Sequence, residues 1–527
     1  MKLPRLLGWL VPLLPLGVGL GAGERAPPPP DEGIYELPPF VTYGYRKDTN
    51  WRYAEIPGFE VLSQCSDRET RAIVGALWRG RQLVLPEAMR PHFSLPMTVV
   101  LYNQPGSAGG DLPSFGNEKG KNELTSHWKN LIKRTLEDRE SFALNLWPGS
   151  FDYSASFRYD LFTLLRRRVP EAPTWLEEGL FGSYGVYREG VFWNESRSAK
   201  AAYPSLWCSV TEGEEAIRMA AQAHRQFAGG KRPTSGSSLL AYIPELPALF
   251  EQPPPKDDTA WDRWAATVAL FIRWGTYDCP PTQVEQFWRF AGSACSEGVT
   301  ETLFKECFGG RSYRDVQIEL SWYLPIALKG EGKATASDVA PLPKFALTDA
   351  TPAQIARVRG EWERMEAAAL APHFPKAAAK YRELAARTLT QPAALSDVRV
   401  QASLGLLALE QGELAKARTH LEKAVAGKAA GPRPYFELAR LRWEADRLGG
   451  SGKLPPEKLT EVIDLILAAE RQQPSLAAVY LLLAEALKQV PTPTGEQRAA
   501  LERGRQLFPR HAAVQAALAR LGDTAAP

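Results

Sequence analysis

The side chains best suited to chemistry lie in two neighbouring segments of the chain. Tyr159 and Thr163 are four residues apart in a predicted helix, with Asp160 beside the first of them. Trp175 and Glu178 follow at the start of the next predicted helix. Residues one helical turn apart share a face, so Tyr159 and Thr163 are expected on one side of their helix, where they are candidates to face Glu178. Hydroxyl groups donate hydrogen bonds to carboxylates, which predicts a polar link between the two helices.

Two other interpretations of these residues remain open. Arg158 is a rival partner, because a guanidinium beside the Glu178 carboxylate would form a charge pair. Alternatively, Glu178 only solvates a helix face and Tyr159 packs as a core aromatic. For Trp175 we expect a packing role rather than a contact with substrate.

The two segments together resemble the peptidase MA-like (gluzincin) family, chiefly through Trp175-Leu176-Glu177-Glu178-Gly179-Leu180. That family carries His-Glu-x-x-His on one helix and a Trp-Leu-x-Glu-Gly-Leu segment on the next. The resemblance implies a zinc site in which both His and the last Glu are ligands and the other Glu is the general base. It places Tyr159 and Thr163 at the His positions, Asp160 at the general base and Glu178 at the third ligand.

The chain lacks the imidazoles that this zinc site needs. Its six histidines are His92, His127, His224, His373, His420 and His511, so none lies between His127 and His224. One carboxylate does not hold zinc at useful affinity, and a tyrosine with a pKa near 10 is a poor ligand while protonated. We therefore expect no catalytic residue, no metal and no cofactor. What remains is a remnant site of Tyr159, Asp160, Thr163, Trp175 and Glu178.

The pattern along the chain predicts an α+β N-terminal domain followed by an all-α domain of helical repeats. Residues 1–23 are expected to be a secretory signal, with retention as an anchor as the alternative, and 24–37 a Pro-rich linker. The N-terminal domain is expected at 38–329. Its small sheet includes strands at 40–43, 59–62 and 97–102, a helix begins at Ser66, and the remainder is mostly helical. By the resemblance this domain is zincin-like. A linker is expected at 330–349.

Residues 350–527 are expected to form tetratricopeptide-like repeats. Small residues recur at packing positions, and Ala439 lies 34 residues after Gly405, which is the period of that repeat. An insertion at 449–456 lengthens the interval from Ala439 to Ala484 to 45 residues. The alternative is an Ala-rich helical bundle without true repeats.

Composition limits the classes of partner that we expect and bears on whether disulfides can form. With 63 Lys plus Arg against 60 Asp plus Glu, the chain offers no electrostatic case for nucleic acid. No stable membrane span is expected after signal cleavage. Five cysteines, one of them Cys208, permit a bridge among Cys279, Cys295 and Cys307 in an exported protein, but their spacing does not suggest a zinc site.

The sequence therefore favours an exported, non-catalytic protein, periplasmic or extracellular, whose repeats bind a protein or peptide in a concave groove. The alternative is a metallopeptidase with a displaced metal site, built from Glu178, Asp160 and His127 or His224. A third hypothesis is a purely structural envelope protein.

Overall fold

The structure, a computed structural model, describes residues 51–83, 96–102, 131–136, 138–145, 169–183, 186–188, 191–193, 213–227, 233–276, 279–329, 333–335, 342–448 and 453–522. The predicted signal, the Pro-rich linker and the strand at 40–43 lie outside these ranges. The same is true of Arg158, Tyr159, Asp160 and Thr163, of His127 and of Cys208.

The strands of the described residues form two sheets. They are β1 (Arg52–Ile56), β2 (Phe59–Ser63), β3 (Met97–Tyr102), β4 (Leu131–Thr135), β5 (Glu140–Asn145), β6 (Val186–Arg188), β7 (Val191–Trp193), β8 (Lys333–Thr335) and β9 (Thr348–Asp349). The larger sheet has the order β4-β5-β3-β2-β1-β9 and is mixed: β3 pairs in parallel with β2 and β5, and the other pairs are antiparallel. The strands β6, β7 and β8 form a small antiparallel sheet.

Helices make up most of the described chain. The first eight are α1 (Asp67–Leu83), α2 (Thr174–Ser183), α3 (Gly213–Phe227), α4 (Leu246–Phe250), α5 (Asp258–Thr276), α6 (Pro281–Ser296), α7 (Glu301–Cys307) and α8 (Tyr313–Lys329). The others are α9 (Pro352–Leu370), α10 (Pro375–Leu389), α11 (Val398–Glu410), α12 (Leu414–Ala426), α13 (Arg433–Leu448), α14 (Pro456–Gln472), α15 (Ala477–Leu487), α16 (Gly495–Leu507) and α17 (Ala512–Gly522). None of these helices is long and apolar enough to cross a membrane.

The larger sheet is covered on both faces. Alternate residues of a strand point to opposite sides, and in β3 both sets are buried, as in a strand at the centre of a covered sheet. On one side Val99 joins a cluster with Val74 of α1, and on the other Val100 joins a cluster with Val358 and Trp362 of α9. The sheet therefore connects an N-terminal helix with a C-terminal one.

The start of α1 confirms the predicted capping residues. The Ser66 hydroxyl accepts a hydrogen bond from the backbone N–H of Glu69 at 3.3 Å, and the Glu69 carboxylate accepts one from the backbone N–H of Ser66 at 3.1 Å. This reciprocal pair satisfies two donors that a helix start leaves open. The predicted strand-helix-strand order is thus observed from β2 through α1 to β3.

Helices α2 and α4 to α8 share one aromatic core, which contains Trp175, Phe250, Phe271 and Cys295. The sequence permits a bridge among Cys279, Cys295 and Cys307, but no disulfide joins these residues in the structure. The Cys295 thiol instead donates to the Ala291 carbonyl at 3.2 Å. A buried cysteine in an apolar core packs as a small hydrophobic residue.

Helices α9 to α17 form an array of antiparallel hairpins, in which α9 packs against α10, α11 against α12 and α13 against α14. Gly405 has the packing role expected of it, because a Cβ there would lie 2.7 Å from the Leu421 side chain of α12. Gly360 of α9 has the same role against Leu389 of α10, at 2.5 Å. Whether these hairpins are tetratricopeptide repeats stays a prediction.

The segment predicted as an interdomain linker contributes to the sheet. Its last two residues form β9 on the edge of β1, where Arg52 forms an ion pair with Asp349 at 2.5 Å. All described residues belong to one unit, Asp48–Pro527, so the predicted division into two domains is not confirmed. A shift in composition marks a connection without a core of its own, but it does not show that the connection adds a strand.

Candidate functional site

Helix α2 carries the two predicted site residues that the structure describes, Trp175 and Glu178. Trp175 is buried, with its ring centroid 5.1 Å from that of Phe250 and 5.5 Å from that of Phe290. Leu176 and Leu180 are buried in the same core. The packing role predicted for Trp175 is therefore confirmed.

Gly179 allows α2 and α5 to approach closely. A Cβ on this residue would lie 2.6 Å from Ile272 Cδ1 and 3.0 Å from the Val268 carbonyl oxygen, and both partners belong to α5. Trp175, Leu176, Gly179 and Leu180 are thus all required by packing. Most of the phrase that carries the resemblance to a peptidase is explained without a metal.

Glu177 and Glu178 are the residues of this phrase that apolar packing does not explain. The Glu178 side chain is half-buried, whereas Glu177 beside it is buried. For Glu178, the predicted partners Tyr159 and Thr163, the rival Arg158 and the neighbouring Asp160 lie outside the described residues. The polar link between the two helices stays a prediction.

The described residues do not group into a metal site. Among them, no three side chains of His, Cys, Asp or Glu are close enough together to hold an ion. Of the two histidines named for a displaced site, His127 lies outside the described residues and His224 is placed only by its backbone, on α3.

The most concentrated chemistry of the described chain is a cluster of charges between the sheet and the hairpin array. Arg357 of α9 is only 2% exposed, and its guanidinium donates to the Glu60 carboxylate of β2, with one bond of 3.0 Å. The Tyr53 hydroxyl accepts from Arg357 at 3.1 Å and donates to Glu60 at 2.6 Å. Arg399 of α11 donates to Glu55 of β1 at 2.7 Å.

The pKa values of Glu60 and Tyr53 follow from their burial and from their charged neighbours. Burial raises the pKa of Glu60, but the hydrogen bonds and charge of Arg357 outweigh it and hold the pKa at about 2. Burial, together with the nearby Glu60 charge, raises the pKa of Tyr53. The carboxylate is therefore ionised and the phenol protonated at neutral pH.

The second half of the cluster lies further along the same face of α9. Arg364 is 3% exposed and donates to Glu361 at 2.6 Å and to Glu410 at the end of α11. Burial raises the pKa of Glu361, yet Arg364 and Arg139 hold it at about 2. Burial raises the pKa of Asp138, in the turn between β4 and β5, although the charges of Arg433, Arg139 and Arg364 act in the opposite direction.

These helices are enclosed on every side. Consecutive residues of α11 from Gln401 to Ala408 are all buried, which covers more than two turns, and α9 is buried around its circumference as well. The groove that the sequence predicts for a partner stays a prediction, and these buried stretches of α9 and α11 do not offer it an exposed surface. Helix α9 is buried because it packs on the sheet, where Arg357 forms an ion pair with Glu60 of β2.

The cluster binds and positions charge rather than transferring protons. Each arginine stays protonated, and a carboxylate with a pKa near 2 is a weak base at neutral pH. The sequence did not reveal this cluster. The one available signal was the spacing of Arg357, Glu361 and Arg364, which puts three charged residues on one face of a helix.

No known protein family, curated protein or solved structure matches the chain. The class that the described residues define is a mostly helical protein with a mixed sheet, and its function has to be argued from its own geometry.

Proposed function

We propose that this is an exported, non-catalytic protein, in which a zincin-like pseudo-peptidase lobe and tetratricopeptide-like hairpins form one scaffold for a protein or peptide. The observation that carries the proposal is the packing of α2. Trp175 and Gly179 are kept by contacts with the aromatic core and α5, while the positions that the resemblance assigns to imidazoles hold a phenol and a hydroxyl.

The order of elements supports the zincin-like part of the proposal. A strand-helix-strand layer, β2-α1-β3, precedes α2 in the chain, as the resemblance implies. The core of α2 to α8 is filled by aromatic rings, so this lobe has a rigid framework.

The burial of α9 and α11 bears on where a partner binds. The second helices of the hairpins face solvent: Lys416 on α12 has 68% of its side chain exposed and Glu461 on α14 has 63%. A partner therefore contacts these exposed faces of α12 and α14 rather than the buried α9 and α11.

A single experiment on the full chain separates this proposal from the displaced-metal alternative. A library of fluorescent peptides would be incubated with purified protein in zinc-containing buffer, and both bound and cleaved peptides would be identified by mass spectrometry. We expect bound peptides that keep their mass. Cleavage that a chelator abolishes would overturn the non-catalytic proposal and favour the metallopeptidase.

The matched control for this assay is Glu178→Gln, which removes the carboxylate that matches the third zinc ligand and preserves its size. If the protein is not an enzyme, the variant and the parent chain give the same peptide masses. A cleavage activity that is present in the parent and absent in the variant would identify Glu178 as a ligand.

A further inference from the structure

The two ends of the hairpin array differ in how completely they are buried. At the first end, every residue of α9 in the range 360–367 is buried, which covers more than two helical turns. At the other end, α16 buries only Ala500 and Gly504 of its thirteen residues, and α17 contributes Val514 and Leu518 to a core. The described helices of the array therefore begin inside the protein and end at its surface.

Helix α9 has the apolar face of an interior helix, although it is the first helix of the array. The first helix of a repeat array has one face that no earlier repeat covers, and such a face is polar when it meets solvent. In α9 this face carries Val358 and Trp362, which share a buried cluster with Leu62 of β2. Arg357 of the same helix pairs with Glu60 of β2. The sheet thus supplies the cover that an earlier repeat would supply.

The part of the sheet that meets α9 is itself firmly held. Strand β2 is hydrogen-bonded to β1 on one side and to β3 on the other. On the opposite face of the sheet, Val61 and Val99 share a buried cluster with Ile73 and Val74 of α1. The surface on which α9 packs is therefore fixed by strand pairing and by the core on the other side of the sheet.

The far end of the array has a smaller core and a weaker attachment. Tyr480 of α15 forms a buried cluster with Val514 and Leu518 of α17. Arg510, between α16 and α17, donates an exposed hydrogen bond of 2.6 Å to the Glu171 carbonyl, which lies before α2. A hydrogen bond in solvent replaces one with water, so it adds little to stability. With less of its surface buried, this end opens locally at a lower free energy than α9 does.

We propose that the six-stranded sheet is the N-terminal cap of the hairpin array, so that the array is anchored at α9 and α11 and opens from α16 and α17. In a repeat array, each unit is stabilised by its own contacts and by those with its neighbours. A first unit that is fixed by the sheet therefore supports the units that follow it. This inference goes beyond the proposed function, because it holds whether or not a partner binds.

The test is native-state hydrogen exchange of the full chain, followed by mass spectrometry. In the parent chain we expect the backbone amides of α9 and α11 to exchange at least about tenfold more slowly than those of α16 and α17. Two variants each shorten one fully buried aliphatic side chain. Leu62→Ala acts on the face of the sheet that meets α9, and the matched control Val514→Ala acts on α17.

Leu62→Ala should speed the exchange of α9 and α11 together with that of β2 and β3, by at least about tenfold, because the cavity weakens the support of α9. Val514→Ala should speed the exchange of α15 to α17 and leave the sheet and α9 as they are in the parent chain. The expected result is thus a difference between the two variants in which part of the chain responds.

Faster exchange of β2 and β3 in Leu62→Ala, with α9 and α11 unchanged, would show that the array is stable without the sheet and would overturn the proposal. Equal protection of α9 and α17 in the parent chain, or faster exchange throughout the chain in Val514→Ala, would contradict opening from one end. Should Leu62→Ala fail to fold, Leu62→Val removes a single carbon and provides the same comparison with a smaller change.

Discussion

Replacing Gly179 by Ala tests whether packing, rather than metal chemistry, explains the phrase on α2. The new Cβ would lie 2.6 Å from Ile272 Cδ1 and 3.0 Å from the Val268 carbonyl oxygen. Both residues are completely buried, and the carbonyl belongs to the backbone of α5, so neither has room to move. Overpacking a filled core costs about 1–3 kcal/mol.

Helix propensity acts in the opposite direction. Alanine inside a helix is favoured over glycine by about 1 kcal/mol, so we expect Gly179→Ala to lower the free energy of unfolding by about 1 kcal/mol net. The matched control is Gly495→Ala, at the first residue of α16, where a Cβ meets nothing within 4 Å. That variant should be as stable as the parent chain or more stable by up to about 1 kcal/mol.

The assay is urea unfolding followed by tryptophan fluorescence, with the midpoints of the three proteins compared at equal slope. The urea concentration at the midpoint should be lowest for Gly179→Ala, higher for the parent chain, and equal to or higher than the parent's for Gly495→Ala. If Gly179→Ala gained as much stability as Gly495→Ala, the close approach of α2 and α5 would not constrain this residue. The packing explanation of the phrase would then be refuted.

Three further predictions concern the charge cluster and a buried thiol. Glu60→Gln removes the nearer of the two carboxylates that pair with the buried Arg357, the other being Asp397 at 4.0 Å, and should cost about 3 kcal/mol in urea unfolding; an unchanged midpoint would contradict this. Glu60 and Glu361 have folded pKa values of about 2 against an ordinary 4.5, so the stability that they contribute above pH 4.5 should be lost as the pH falls toward 2, and a melting temperature constant over that window would refute it. Burial raises the pKa of the Cys65 thiol to about 12, so iodoacetamide at pH 8 should label Cys65 only after unfolding, as mass spectrometry would show.

The sequence predicted those elements whose signals are local. The apolar run that forms β3 and the capping residues that begin α1 are both observed where expected. Gly405 was expected at a helix contact because small residues recur at a fixed period, and it lies against Leu421. In each case the physical cause acts within a few residues or repeats along the chain.

Long-range pairing could not be predicted in this way. Strand β9 has only two residues, which is too short for a sequence pattern, and nothing in their composition shows that they pair with β1. The burial of α9 on all sides has the same origin, since its charged face binds partners almost 300 residues away in sequence, such as Glu60. A charged helix face normally predicts exposure to solvent. In α9 the charged face is buried instead, because its side chains form ion pairs with distant parts of the chain.

The remnant site was only partly accessible to sequence reasoning. Trp175 was expected to pack, and it does. The role of Gly179 was not expected, because a close approach of two helices depends on where α5 crosses α2. The pairing of Glu178 with Tyr159, Thr163 or Arg158 stays a prediction, because those three residues lie outside the described ranges.

The central claim, that the chain holds no catalytic zinc, is tested most directly by the metal content of the purified full-length protein. The protein would be dialysed against excess zinc and then against metal-free buffer, and zinc per chain would be measured by inductively coupled plasma mass spectrometry. We expect far less than one zinc per chain, and the same value for Glu178→Gln. One zinc per chain in the parent protein, lost in Glu178→Gln, would contradict it.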